Sequence, residues 1–514
     1  MNVPKPLVLI ILDGWGIAPD SDNNPISKAK TPFLKKLWYG YPHCKLLASG
    51  EAVGLPRGEA GNSEIGHLNL GAGFVVYQDL VRINHAIADG SFFQNEAFFK
   101  AFEHIKANQS NLHLLGLIGP ALGHSCIEHL FSLLRLCHDQ KITNIFIHAF
   151  TDGRDSPPTS AQIFLSEVEN FVKNLGTGRL ATICGRYYAM DRERHWERTQ
   201  KAYDLLTLGK GKKALSFAKA ISDSYKSKIT DEFIEPTFLL DENQKPFPNI
   251  NDNDSIIFFN FRNDRPRQLT ESFVLPNFEG FERLKKLSNL FFVTMTDYEK
   301  GLPISAVAFK RTNIEVPASR VIAESGLHQL HIAESTKFPH VTYFFNGGRE
   351  DPFPLEDRIE IPSPKVKTYD EMPEMSTWAV AEVLKERILG NIYDFILVNF
   401  ASPDMVAHTG VFEAGIKAAE ITDQVLQKIV PAITLRGGAV IVTSDHGNLE
   451  VMIDPDTGAT DTEHNISPVP FIFVKEGLES QELPMGILAD VAPTILSLLK
   501  LEKPSTMTAR NLLE

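Results

Sequence analysis

The chain has 514 residues, of which 43% are hydrophobic and 22% charged, and it carries a formal net charge of −13. This balance is typical of a globular protein that is too long for a single hydrophobic core, so we expect two domains. The acidic charge argues against nucleic acid and membrane partners, since nucleic acids and anionic membranes attract basic surfaces, and it favours a small-molecule substrate.

Short β-branched and aromatic runs alternate with helical patterns along the chain, which indicates βαβ units and an α/β fold with mostly parallel sheets. The predicted strands are residues 7–12, 112–118, 144–149, 180–184, 255–261, 291–294, 340–345, 395–400, 439–443 and 469–474. Several of these runs end directly in charged residues. Ligands bind beyond the carboxyl ends of parallel strands, so these charged residues are candidates for a functional site.

The order of the charged segments predicts the domain organisation. Residue types that bind metals follow strands near both ends of the chain, whereas arginine-rich segments fall between about residues 120 and 270. We therefore expect one discontinuous α/β domain, made of residues 1–77 and 310–514, with a second α/β domain inserted as residues 78–309.

Cysteine usage and the first apolar run favour a cytoplasmic protein. The four cysteines lie far apart and form no CxxC pair, which is typical of a reducing compartment. The run of residues 7–12 is too short for a secretory signal, and no other run approaches the roughly 20 apolar residues of a membrane span. No coiled-coil repeat indicates self-association, so we expect a monomer.

Carboxylates and imidazoles at strand ends suggest a metal site. They are Asp13, Asp404, His408, Asp445, His446 and His464. The spacing of four between Asp404 and His408 would place both on one face of a helical turn. Such a mixed set of nitrogen and oxygen donors suits Mn²⁺ or Zn²⁺ better than Ca²⁺, and its size favours two metals. Each residue alone could equally be a helix cap or a solvated loop residue.

Ser63 lies in a glycine-flanked loop, Gly58–Gly66, which reads Gly-Glu-Ala-Gly-Asn-Ser-Glu-Ile-Gly. Backbone N–H groups and a helix start in such a loop can surround an anion. A serine hydroxyl coordinated to a metal becomes a competent nucleophile without a histidine partner. The alternative, that Ser63 is an ordinary helix cap, stays open from this loop alone.

Arginines follow three strands of the middle segment. They are Arg154, Arg186, Arg192, Arg262 and Arg265. Guanidinium groups bind carboxylates and phosphates in a bidentate manner, so such a group suits a phosphorylated acid, although any one of these arginines could form a surface ion pair instead.

Three motifs closely resemble those of cofactor-independent phosphoglycerate mutases. They are Asn62–His67 (NSEIGH), Asn399–Gly410 (NFASPDMVAHTG) and Ser444–Asn448 (SDHGN), and the similarity runs nearly end to end. The resemblance implies a discontinuous alkaline-phosphatase-like domain with two Mn²⁺ ions, which Zn²⁺ or Co²⁺ could replace, and an inserted domain that binds and closes over phosphoglycerate. It further implies that 3-phosphoglycerate and 2-phosphoglycerate are interconverted, in glycolysis and gluconeogenesis, through a phosphoserine and without 2,3-bisphosphoglycerate.

The same resemblance implies roles for individual residues. One metal would be held by Asp404, His408 and His464, and the other by Asp13, Ser63, Asp445 and His446. Substrate contacts would be His124, Arg154, Asp155, Arg186, Arg192, Arg262, Arg265 and Lys337. Ser63 would carry the phosphate, Asp155 would exchange protons with the substrate hydroxyls, and Lys337 would stabilise charge on the phosphoryl group. His67 receives no role, and we expect a packed or supporting histidine.

One loop departs from the family pattern. The family usually reads Ser-Asp-Gly-Gly-Val-His-Ser-His where this chain has Gly119–Cys126, Gly-Pro-Ala-Leu-Gly-His-Ser-Cys. An acidic residue and a second histidine are absent, and Pro120 fixes φ and removes a backbone donor. We therefore expect an unusual loop geometry beside His124.

Two other functions compete with this hypothesis. A phosphomonoesterase or a phosphopentomutase could use the same metal set, because a scaffold does not fix its substrate. The many arginines favour a substrate that carries a carboxylate as well as a phosphate. A binding protein that keeps the ligand set only for stability is disfavoured by the intact Ser63.

Overall fold

The computed structural model describes residues 3–514, which form two compact units. The first unit runs to Gln78 and resumes as Thr312–Glu514, and the second is Asp79–Arg311. Each unit contains one eight-stranded sheet. The α/β fold class expected from the sequence is confirmed.

The strands, in chain order, are β1 (Leu7–Leu12), β2 (His43–Leu47), β3 (Leu112–Ile118), β4 (Ile145–Thr151), β5 (Arg179–Gly185), β6 (Lys212–Ala214), β7 (Thr237–Leu239), β8 (Ser255–Phe258), β9 (Phe291–Thr296), β10 (Ala306–Phe309), β11 (Gln329–Glu334), β12 (Glu356–Ile361), β13 (Phe395–Phe400), β14 (Ala439–Thr443), β15 (Val469–Val474) and β16 (Gly486–Ile487).

The α-helices are α1 (Pro25–Lys28), α2 (Pro32–Gly40), α3 (Ser63–Ala72), α4 (Asp79–Asp89), α5 (Glu96–Asn108), α6 (Ile127–Asp139), α7 (Ala161–Leu175), α8 (Arg186–Ala189), α9 (Trp196–Leu208), α10 (Phe217–Lys226), α11 (Pro266–Val274), α12 (Ala318–Glu324), α13 (Thr377–Gly390), α14 (Ser402–Ala407), α15 (Phe412–Thr434) and α16 (Val491–Leu498). Short 3₁₀ turns lie at Gly50–Val53, Ser91–Gln94, Asp231–Phe233, Tyr369–Glu371 and Leu488–Asp490. Among the helices of residues 3–514, none is long and apolar enough to cross a membrane.

The sheet of the first unit has the order β12-β11-β13-β1-β14-β15-β2-β16. β1 pairs in parallel with β13 on one side and β14 on the other, with Leu12 opposite Phe400 and Ile11 opposite Thr443. Alternate residues of β1 pack into two different core clusters, one on each face of the sheet, which explains its uninterrupted apolar run. The register brings the carboxyl ends of β1, β13 and β14 to the same edge.

The sheet of the second unit has the order β10-β9-β8-β3-β4-β5-β7-β6. The central strands β8, β3, β4 and β5 are parallel, with Ile118 opposite Thr151 and Thr151 opposite Gly185. Both faces of this sheet are again covered by core clusters. The loops after β3, β4 and β5 therefore leave the sheet side by side.

Residues 340–345 do not form the strand that the sequence predicts. His340–Phe344 is a single π-helical turn, in which the N–H of Phe345 donates to the carbonyl of His340 at 3.0 Å. Val341 and Phe345, four residues apart, are both fully buried in the core of the first unit. The prediction was wrong because a short apolar run does not distinguish a buried strand from a buried helical turn.

Candidate active site

Three acidic residues meet at the carboxyl edge of the first sheet. Asp13 directly follows β1, Asp445 lies two residues after β14, and Asp404 lies in α14, the helix that follows β13. All three are buried, with at most 1% of their surface exposed. Such proximity of buried carboxylates requires positive charge among them.

Ser63 is the first residue of α3 and points into this acidic group. The side chain of the cap residue Asn62 accepts a hydrogen bond from the N–H of Ile65 at 2.9 Å, so Asn62 rather than Ser63 caps the helix. Ser63 Oγ donates to Asp13 Oδ1 at 3.3 Å and lies 3.0 Å from His446 Nε2. The hydroxyl is therefore free of the capping role that the sequence left open.

Lys337 supplies one positive charge. Its Nζ donates to Asp13 Oδ1 at 2.7 Å, to Asp404 Oδ2 at 2.5 Å and to Ser63 Oγ at 2.7 Å. Burial lowers the pKa of Lys337, but the attraction of Asp13 and Asp404 outweighs it, so the pKa lies above its usual value. Lys337 is therefore an ammonium group held against the serine oxygen.

Asp404, His408 and His464 form a group with the donor chemistry of a cation site. Nδ1 of His408 lies 2.8 Å from the carbonyl oxygen of Thr462, and Nδ1 of His464 lies 2.9 Å from that of Gly61. These contacts place the proton of each neutral ring on Nδ1 and leave Nε2 as an electron-pair donor. The two Nε2 atoms face each other at 3.0 Å, and each lies 3.3 Å from Asp404 Oδ1. Three facing electron-pair donors fit a divalent cation.

A second group surrounds Ser63. His446 Nε2 lies 3.5 Å from both Asp13 Oδ1 and Asp445 Oδ2. Burial lowers the pKa of His446, but Asp445 and its acidic neighbours raise it to about 9, so a proton and a metal would compete for this ring. Ligand atoms of Asp13, His67 and Asp445 also lie within 4.8 Å of one another, as do those of Asp404, His446 and His464. His446 therefore lies beside both the group of Asp404, His408 and His464 and the group that surrounds Ser63.

His67 is fully buried beneath Ser63. Its Nδ1 lies 2.9 Å from the carbonyl oxygen of Ser63 and 3.2 Å from Asp445 Oδ2. Its Nε2 lies 3.0 Å from Nδ2 of Asn399, which also donates to Asp13 Oδ2 at 2.6 Å. These contacts fit a supporting histidine, because both ring nitrogens are already hydrogen-bonded.

In the second unit, Arg186 contacts two other predicted substrate residues, Asp155 and His124, and also Asp152. This guanidinium is buried and donates to Asp152 Oδ1 and Asp155 Oδ2, each at 2.5 Å, and its Nη2 lies 3.1 Å from His124 Nε2. Burial and then the charge of Arg186 lower the pKa of His124 to about 4, so this ring is neutral at physiological pH. His124 is itself only 4% exposed.

A cavity of about 60 Å³ lies beside this group and is lined by five arginines. They are Arg154, Arg186, Arg192, Arg198 and Arg265. Four of them are partly neutralised by acids: Arg186 by Asp152 and Asp155, Arg154 by Glu232 at 2.6 Å, Arg192 by Asp264 at 2.6 Å and Arg198 by Asp191 at 3.2 Å. Arg262, the remaining predicted arginine, pairs with the same Asp264 at 3.2 Å. The lining has the chemistry of a site for a small anion.

Comparisons with known proteins agree with this chemistry. Residues 83–300 match the family model described as the BPG-independent PGAM N-terminus. The 2,3-bisphosphoglycerate-independent phosphoglycerate mutase of Chloroflexus aggregans is 49% identical over 537 residues, spanning 100% of this chain and 99% of the relative. The enzyme of the same name from Clostridium acetobutylicum is 48% identical over 510 residues, spanning 99% of each.

The chain belongs to the 2,3-bisphosphoglycerate-independent phosphoglycerate mutase family. A solved relative supports the fold over its full length: phosphoglycerate mutase of Leishmania mexicana, determined at low cobalt concentration, is 30% identical, covers 99% of this chain and 97% of its own, and superposes with a TM-score of 0.56. The family resemblance found in the sequence is confirmed.

Four residues of this phosphoglycerate mutase family member lie beside the candidate metal groups or the arginine cavity without having been predicted from the sequence. Arg198 lines the arginine cavity and lies over the ring of Tyr187, 4.1 Å from its centroid. Asn399 and Asn448 donate to Asp13 and Asp404, and Glu450 accepts hydrogen bonds beside them. Arg198 follows no strand, and uncharged amides carry no signal in a search for ligands and nucleophiles, so only the fold reveals them.

Proposed function

We propose that this protein interconverts 3-phosphoglycerate and 2-phosphoglycerate through a phosphoserine at Ser63, with two divalent metal ions, preferably Mn²⁺, and without 2,3-bisphosphoglycerate. The observation that carries the proposal is the serine hydroxyl at the start of α3, hydrogen-bonded by Lys337 and flanked by Asp13 and His446. Family membership and the arginine cavity of the second unit support it. The proposal includes a cytoplasmic, monomeric enzyme.

The first unit would be the metal-binding domain. One ion would be held by Asp404, His408 and His464, and the other by Asp13, Ser63, Asp445 and His446. The facing Nε2 atoms and the mixed nitrogen and oxygen donors support this assignment. When bound, the ions would lower the pKa of the serine hydroxyl and neutralise charge on the transferred phosphoryl group.

Ser63 acts as the phosphate carrier. Its Oγ forms a bond to phosphorus while the bond from phosphorus to the substrate oxygen breaks, and the reverse transfer delivers the phosphoryl group to the other hydroxyl of glycerate. Lys337 keeps an ammonium 2.7 Å from the attacking oxygen, where it stabilises negative charge during both transfers.

The second unit would bind the substrate. Its arginines, Arg154, Arg186, Arg192, Arg262 and Arg265, together with His124, would hold the carboxylate and orient glycerate between the two transfers. In the first transfer the departing oxygen would gain a proton as the Ser63 hydroxyl loses its own. In the second transfer Asp155 would take the proton released by the incoming hydroxyl, and Ser63 Oγ would regain one, so the protons balance over the cycle. Burial raises the pKa of Asp155, but its hydrogen bond from Arg186 lowers it further, so the carboxylate is ionised and ready to accept.

The decisive experiment follows both phosphoglycerates without added 2,3-bisphosphoglycerate, before chelation, after chelation, and after Mn²⁺ is restored. We expect activity that disappears and returns with the metal, and a phosphoserine on Ser63 in protein quenched during turnover. Ser63→Ala should abolish both signals, whereas Ser497→Ala, at an exposed helical position, should retain them. Release of inorganic phosphate as the main product would reassign the protein as a phosphatase.

A further inference from the structure

Glu450 is a buried carboxylate that the proposed chemistry does not use. It lies in the loop after β14 and is 1% exposed. Its Oε2 accepts a hydrogen bond from the N–H of Gly16 at 2.8 Å and another from the N–H of Asn448 at 3.1 Å. Gly16 belongs to the loop after β1, so one carboxylate joins two loops that are more than 400 residues apart in sequence.

The loop after Asp13 is fixed by consecutive hydrogen bonds to the loop after β14. The N–H of Gly14 donates to Asp445 Oδ1 at 3.2 Å, and the N–H of Trp15 donates to Ser444 Oγ at 2.9 Å. The N–H of Gly16 then donates to Glu450. Three successive backbone donors are thereby aligned with three side chains, which sets the position of Asp13 relative to Asp445.

Two glycines leave the space that the Glu450 carboxylate fills. A Cβ placed on Gly16 would lie 2.1 Å from Glu450 Oε1, and a Cβ on Gly447 would lie 2.5 Å from the same atom. Neither distance is compatible with a side chain at these positions unless the carboxylate moves. Both loops are therefore built around this one group.

Glu450 also acts on Asp404 through Asn448. Its carboxylate fixes the backbone of Asn448, whose Nδ2 donates to Asp404 Oδ1 at 2.7 Å and lies 3.4 Å from His408 Nε2. The hydrogen bond to Asp404 orients the carboxylate that faces both His408 and His464. Three acidic residues that follow three different strands, β1, β13 and β14, are thus connected to Glu450.

We propose that Glu450 is a positioning residue that holds Asp13, Asp404 and Asp445 in the arrangement in which they bind metal. The inference rests on the proposed function, because it assigns these three residues as ligands. Glu450 itself contacts none of the reacting groups. Removing a group that orients metal ligands costs roughly 10- to 100-fold in metal affinity, and we expect a loss of this size.

The test is a calorimetric titration of the full-length, metal-free protein with Mn²⁺, compared among variants that are folded by circular dichroism. Glu450→Ala should lose affinity by roughly 10- to 100-fold. Glu450→Gln keeps an oxygen that can accept both N–H groups and should bind Mn²⁺ nearly as well as the wild type. Leu496→Ala, a core truncation in α16 of the same unit, controls for general destabilisation and should bind normally.

Gly16→Ala tests the same contact without changing Glu450, and it serves if Glu450→Ala does not fold. It should weaken Mn²⁺ binding because the new Cβ displaces the carboxylate. Wild-type affinity in folded Glu450→Ala or Gly16→Ala would overturn this inference alone, as would equal losses in the Ala and Gln variants. A wild-type protein that binds no Mn²⁺ would overturn the proposed function together with this inference.

Discussion

Gly66 lies three residues after Ser63 in α3, where this helix contacts the loop that carries Asp445. A Cβ added at Gly66 would lie 2.6 Å from the backbone oxygen of Asp445 and 2.7 Å from its Cβ. An ordinary contact needs at least 3.4 Å, so Gly66→Ala must separate the helix from the loop by about 0.8 Å. The 3.0 Å contact between Ser63 Oγ and His446 Nε2 also joins α3 to this loop.

The displacement should affect turnover more than stability. Misplacing reacting groups by about 1 Å costs on the order of 100-fold in rate, so kcat of Gly66→Ala should fall by one to two orders of magnitude. Overpacking costs about 1–3 kcal/mol, whereas alanine gains about 1 kcal/mol over glycine in a helix, so the free energy of unfolding should fall by at most about 2 kcal/mol. Steady-state kinetics and urea unfolding measure the two effects.

Gly390→Ala is the matched control. Gly390 is also helical, at the end of α13, and a Cβ there would meet nothing within 4 Å. This variant should gain about 0.4–1 kcal/mol of stability and keep wild-type kcat. If kcat of Gly66→Ala remained within a factor of two of the wild type, the close approach of α3 to Asp445 would have no part in placing Ser63.

Three further predictions concern residues around the two groups. Asn399→Ala leaves Asp13 Oδ2 and His67 Nε2 without their buried partner and should lower the free energy of unfolding by roughly 1–3 kcal/mol in urea unfolding. Because the pKa of His124 is lowered to about 4, only the unfolded chain takes up a proton on this residue between pH 6.5 and 4. The free energy of unfolding should therefore decrease as the pH is lowered through that window, and it should decrease less steeply in His124→Asn. Arg198→Lys should raise KM for 3-phosphoglycerate by roughly tenfold and leave kcat unchanged, as measured by steady-state and stopped-flow assays.

The central strands could be predicted from the sequence because burial on both faces produces uninterrupted apolar runs. β1, β3, β13, β14 and β15 have the bounds that were expected. β12 was missed because its sequence, Glu-Asp-Arg-Ile-Glu-Ile, is that of a polar edge strand, which carries no apolar run. The conformation of edge strands and short helical turns depends on the residues packed against them, and a single sequence does not show which residues those are.

Some residues of the candidate site could likewise be predicted from the sequence and others could not. Acidic residues directly after strands are conspicuous in the sequence, and the parallel register brings Asp13 and Asp445 together. Lys337 became a candidate only through the family resemblance, since a single lysine after β11 looks like surface charge. Glu450 and Asn448 could not be found at all, because what they do is defined by contacts with residues that are distant in the sequence.

The central place of β1 in its sheet has a consequence during synthesis on the ribosome. β1 leaves the ribosome early, but its partners β13 and β14 end at residues 400 and 443. At about 5–20 residues per second, its apolar run waits between roughly 20 and 90 s for its second neighbour. The segment of the second unit is complete by residue 311, so it can fold during this delay. The nascent chain should therefore be a client of chaperones that cover exposed apolar strands.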